Sequence, residues 1–94
     1  MDISDWRKKI DEIDLQLVRL LNERAKCVLE IGAIKKLLGL PVHEPQRERE
    51  ILENVTQANG GPLDQEAVRR LFERIIDEGR AIQRIPMEGK RKEE

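Results

Sequence analysis

Residues 6–38 read WRKKIDEIDLQLVRLLNERAKCVLEIGAIKKLL. Apolar side chains return through this stretch in steps of four and three: Trp6, Ile10, Ile13, Leu17 and Leu20, then Cys27, Ile31, Ile34 and Leu38. That is the 3.6-residue period of an amphipathic helix, sustained over more than thirty residues. Ser4 or Asp5 is placed to cap its start, and Gly39 followed by Pro41 to stop it. At 1.5 Å per residue such a helix is about 50 Å long. A compact globule of this chain length is only roughly 30 Å across. The helix therefore outruns its own domain, and the spacing predicts that a second chain covers its seam.

Working outward, LGLPVHEP leads to a shorter helix in which Pro45 fits the first turn, Glu44 sits at the cap position, and Ile51, Leu52 and Val55 form the inner face. Asn59-Gly60-Gly61-Pro62 is a strong breaker. Asp64 then caps a third helix with Val68, Leu71, Phe72, Ile75, Ile76 and Ile82 turned inward, closed by Pro86. No stretch reads as a strand. The expected fold is all-α with three helices per chain, one very long, over residues 1–85. The remaining 86–94, with no apolar period, read as a charged disordered tail.

Composition agrees. Charged residues make up 39% of the 94-residue chain and aromatics 2%, which suits helices with solvated outer faces and an aliphatic seam. Eighteen Lys and Arg against nineteen Asp and Glu give a net charge of −1, so no global basic field is present for nucleic acid. The single Cys27 excludes an internal disulfide and gives no zinc-ligand spacing, and its place in the apolar pattern reads as an inert buried thiol. The N-terminus is charged from its second residue, unlike a signal peptide or membrane span, so a soluble cytoplasmic protein is expected.

Several polar residues break the apolar faces. Arg24 lies on the seam between Leu20 and Cys27, where a buried guanidinium calls for an anion. Taken alone, pairing with a neighbouring Glu explains it as well. Lys35 lies eleven residues on, within about 20° of Arg24 and about 16 Å along the axis, so both can converge on one small anion. A cation near a helix C-terminus is also favoured in its own right. Arg47 and Glu48 precede Ile51 and Leu52 by four residues each and share their face. Gln83 follows Ile76 by seven and projects from the inner face of the third helix. Gly79, costing about 1 kcal/mol relative to Ala within a helix, points to close approach of another group. Arg7 lies roughly 25 Å before Arg24 and about 100° around the helix, so one chain cannot bring both onto one small ligand. By itself, Arg7 beside Lys8 and Lys9 reads as a surface charge.

These stretches, with PVHEPQREREILE and LFERIIDEGRAIQ, resemble the all-helical chorismate mutases from about Trp6 to Gln83. The most specific element is R-x2-I-D-x2-D-x6-L-x2-R ahead of I-G-x2-K. The resemblance implies an intertwined six-helix homodimer with two equivalent sites, each taking Arg7 from one subunit and its other groups from the second. It implies the substrate chorismate, a dicarboxylate, rearranged to prephenate by a pericyclic Claisen shift that needs no nucleophile, metal or cofactor. On this basis Arg24 and Arg7 clamp the enolpyruvyl-side carboxylate, and Arg47 serves the ring-side carboxylate. Lys35 and Gln83 hydrogen-bond the ether oxygen, and Glu48 accepts from the ring hydroxyl with Glu44 near it. Two positions depart from the family: Gly79 where Ser is common, and Glu44 where a shorter Asp is familiar. An isochorismate-pyruvate lyase shares fold and clamp but lacks an acid at the position of Glu48. A non-catalytic helical dimerisation or regulatory domain explains the seam but not Arg24 within it.

Overall fold

The structure is a computed structural model, described for residues 1–84, and it contains the three helices expected: α1 (Ile3–Leu38), α2 (Pro45–Ala58) and α3 (Gln65–Arg84). Pro86 and the charged tail lie outside the described residues.

Helix α1 begins earlier than its apolar period. The cap is Asp2, neither Ser4 nor Asp5: the Asp2 carboxylate accepts from the Asp5 N–H (3.0 Å), and the Asp5 carboxylate accepts in turn from the Asp2 N–H (3.1 Å). This reciprocal pair satisfies two of the orphan donors of the first turn. At the other end Gly39 takes the left-handed conformation (φ 71°), which lets the Leu40 N–H reach back to the Lys35 carbonyl at 2.8 Å. Glu44 occupies the N-cap of α2 but makes no capping bond, because its carboxylate is turned toward α1 instead. Between α2 and α3, Asn59 ties the turn together, donating to Leu63 O and Gln65 Oε1 and accepting from the Gly61 N–H. Asp64 caps α3 as read from sequence, its Oδ1 accepting from the Ala67 N–H at 2.7 Å.

Helix α3 is the middle element, packed by α2 on one side and α1 on the other. The assembly measures 53 × 35 × 15 Å. Its thickness barely exceeds one helix with its side chains, about 10–12 Å. Three helices in a single layer cannot enclose a core, and among the described residues only Val68 and Ile76 of the apolar side chains are buried. The radius of gyration, 16.6 Å, is well above the roughly 12 Å of a compact domain this size.

The face of α1 that meets α3 is displaced from the sequence seam. Ala25, Val28, Gly32 and Lys35 are wholly or partly covered, whereas Trp6, Ile10, Ile13, Leu17, Leu20, Ile31, Ile34 and Leu38 all remain exposed. Cys27, expected to be buried, is exposed for the same reason: its stripe has no cover within one chain. Leu71 is likewise exposed, while Phe72, Ile75 and Ile82 are half-buried. The apolar stripe of α1 is left uncovered by α2 and α3.

Candidate active site

An open cleft lies where the C-terminal half of α1, the start of α2 and the end of α3 come together. It is lined by seven of the eight residues singled out from sequence: Arg24, Lys35, Glu44, Arg47, Glu48, Gly79 and Gln83. The eighth, Arg7, is exposed on the N-terminal half of α1 and does not reach the cleft.

Lys35 is buried to 8% exposure, which for an ammonium demands close partners. It has two: the Val42 carbonyl at 3.1 Å and the Glu44 carboxylate at 2.6 Å. An ammonium carries three N–H donors, so one is left over at the cleft wall. Gln83 is held in the same manner. Its Nε2 donates to the Val28 carbonyl in the body of α1 at 2.8 Å, leaving a second N–H unused by that bond. Both groups are thus fixed by protein partners and retain donor capacity, as electrostatic preorganisation requires.

Gly32 makes the second arrangement possible. A Cβ there would stand 3.1 Å from Gln83 Cγ, a tight contact that obliges the side chain to shift by a few tenths of an ångström. The close approach anticipated at Gly79 belongs to Gly32 instead. At Gly79 a Cβ would meet Val28 and the Arg24 guanidinium at 3.6–3.8 Å, ordinary contact distances. The two glycines should therefore respond oppositely. Gly79→Ser is expected to keep its activity within a few-fold and raise the melting temperature by a few degrees, since Ser exceeds Gly in helix propensity by roughly 0.5 kcal/mol. Gly32→Ala also gains propensity but displaces Gln83, and its kcat should fall on the order of 10- to 100-fold. Melting curves and turnover on both variants check this, and equal kcat values would remove Gly32 from the account.

Arg24 is half-buried, and among the described residues no carboxylate forms an ion pair with it. The reading in which a neighbouring Glu neutralises it therefore loses its support. Arg47 sits at the rim, exposed, and shares a 3.3 Å contact with Glu50. Glu48 is less exposed and lies 3.5 Å from Arg80 and 3.8 Å from His43. Arg80, which also lines the cleft, is a charged residue that sequence reasoning passed over. Its signal was available: it follows Ile76 by four residues and precedes Gln83 by three, the same inward spacing.

Four cations and two carboxylates thus face the cleft, with one amide and without a thiol or hydroxyl nucleophile on its walls. Of the four cations, Arg24 alone has no carboxylate partner among the described residues. A chain of three helices with a mostly cationic polar cleft is the class that fold and site define.

The comparisons give that class its family. The chain belongs to the type II chorismate mutases, whose family model matches residues 6–84. A bifunctional chorismate mutase/prephenate dehydratase of Aquifex aeolicus is 46% identical over 79 residues, covering 80% of this chain but 22% of that protein. A chorismate mutase of Methanocaldococcus jannaschii is 30% identical over 87 residues, covering 92% of this chain and 88% of its own length. Among solved structures, a chorismate mutase of Thermus thermophilus superposes with a TM-score of 0.85 at 38% identity, over 86% of this chain and 92% of that one. The chain spans about a fifth of the bifunctional relatives it matches. Among the described residues no helix is long and apolar enough to cross a membrane.

Proposed function

We propose that this chain catalyses the Claisen rearrangement of chorismate to prephenate. The observation that carries the proposal is Arg24, a half-buried guanidinium without a carboxylate partner among the described residues, opening onto the same cleft as the anchored donors Lys35 and Gln83. The substrate brings two carboxylates, and Arg24 and Arg47 line the cleft to receive them. Arg24 grips the enolpyruvyl-side carboxylate and Arg47 the ring-side one, holding the side chain over the ring in the reactive diaxial form. As the C–O bond breaks, negative charge grows on the ether oxygen, and the remaining N–H groups of Lys35 and Gln83 stabilise it. Glu48 accepts from the ring hydroxyl. Glu44 acts through Lys35, whose position it fixes. Loss of the ultraviolet absorbance of chorismate on adding the protein tests the reaction directly, and an inert protein sinks it.

The working unit is a homodimer. A one-layer slab with α1 apolar along its uncovered side is half of a two-layer core, and a second copy supplies the other half. In this assembly Arg7 of the partner subunit completes the clamp beside Arg24. Arg7→Ala and Arg24→Ala are then each inactive alone, while a mixed dimer of the two regains about one intact site. The motive is the axial separation of roughly 25 Å within one chain. Mixing the purified variants, with heterodimers verified by native mass spectrometry, checks it; no recovery would confine the site to one chain. The proposed setting is the cytoplasm, with aromatic amino-acid biosynthesis as its context.

A further inference from the structure

We propose that Arg80 is a positioning residue for the rearrangement, holding one oxygen of Glu48 so that the other faces the ring hydroxyl of the substrate. The proposal rests on the mutase reading, in which Glu48 accepts from that hydroxyl. The Arg80 guanidinium contacts Glu48 Oε2 at 3.5 Å, and His43 approaches the same oxygen at 3.8 Å. Among the described residues no hydrogen bond or ion pair engages Oε1. One carboxylate oxygen is thus tied back into the protein while the other is left for a donor.

The pair is more sheltered from water than a surface pair. The two side chains are only 26% and 23% exposed, whereas the Arg74–Glu78 pair on the outer face of α3 is 76% and 60% exposed. Screening by water is weaker at the first pair than at the second. The second terminal nitrogen of Arg80 bonds Asp77, one turn back on α3, and fixes the plane of the fork. Its Nε is buried without a hydrogen-bond partner among the described residues, an arrangement that carries a desolvation cost. His43 is about half-exposed and charged only when protonated, so it cannot replace a cation that persists at every working pH. Arg80–Glu48 is also the one ion pair among the described residues that links α2 to α3. It sets where the carboxylate stands relative to Gln83, one turn further along α3.

A simple strut between two helices would show the same contact, and a mutant cycle separates the two. Turnover of chorismate is measured for wild type, R80M, R80K, E48A and the double variant R80M/E48A, with folding followed by circular dichroism. R80M should lower kcat/KM on the order of 10- to 100-fold, the scale of a catalytic group moved by about 1 Å. R80K, which restores a charge without the fork, should recover part of that loss. In the E48A background, adding R80M should change kcat/KM by no more than about a factor of two, because the two residues act as a unit. If R80M fails to fold, R80Q enters the same cycle in its place. Equal losses from the Arg80 substitution in both backgrounds would make it a strut and overturn the role. So would an R80M enzyme at wild-type kcat/KM beside a crippled E48A. A folded wild type that leaves chorismate untouched overturns the reaction itself, and this role with it.

Discussion

Arg24→Ala is expected to fold as well as the native chain while losing at least on the order of 10²–10³ in kcat/KM. Stability should change little because Ala is the best helix former and the guanidinium has no carboxylate partner among the described residues. What is removed is a cation held half out of water, so its loss relieves a desolvation cost as much as it removes contacts. The catalytic loss follows from the position of Arg24: it alone of the cleft cations lies on the α1 seam, with its guanidinium beside Gly79 of α3. Arg24→Lys keeps the charge but not the planar fork, and should recover only a small part of the activity. Circular dichroism melts beside chorismate turnover give the answer. A variant that unfolds, or one that folds and retains full turnover, would make Arg24 a structural residue and take the clamp out of the mechanism.

How much of this was legible beforehand depended on the kind of signal each residue carries. The long helix was plain, because its period repeats over thirty-three residues and chance cannot sustain that. Its start was misplaced because a reading based on apolar spacing begins only at Trp6, while the Asp2–Asp5 capping box lies ahead of it. The packing face was harder. Helix α1 carries two neighbouring apolar stripes, and the period does not say which partner covers which. The structure assigns the stripe through Ala25, Val28 and Gly32 to α3 and leaves the one through Leu20, Cys27 and Ile31 outward. Arg24 sits along their border, which is why it opens onto the cleft and still interrupts the seam.

The cleft was readable where a charged or polar residue interrupted an apolar pattern, as at Arg24, Lys35 and Gln83. Arg80 escaped because in ERIIDEGRAIQR it has acids at hand on its own helix, and a charge with local partners looks solvent-facing. The anchor of Gln83 and one of the two anchors of Lys35 are the carbonyls of Val28 and Val42, main-chain atoms that every residue type possesses. No choice of side chain announces them. Gly32 was the indirect trace: a glycine in the interior of a helix, at a place where a Cβ would crowd the amide side chain seated there.

Gln83→Glu should turn an enzyme active across neutral pH into one that works only in acid. Gln83 has two N–H donors, one given to the Val28 carbonyl and the other available to the ether oxygen at any ordinary pH. An ionised Glu has none. It would face both the Val28 carbonyl and the developing oxyanion with lone pairs, and the loss at neutral pH should be on the order of 10²–10³. Protonation restores a single O–H, so activity rises as pH falls. The recovery stays incomplete, since one proton cannot serve both the carbonyl and the ether oxygen. Lys35 on the same cleft favours the ionised form and moves the recovery toward lower pH, while burial moves it upward. The direction is set by chemistry, and the midpoint by the balance of those two. The measurement is kcat/KM for chorismate from acid to neutral pH in both proteins, with circular dichroism confirming that each stays folded throughout. Two parallel profiles would mean that Gln83 never touches the ether oxygen, and Lys35 would then stand alone as its donor.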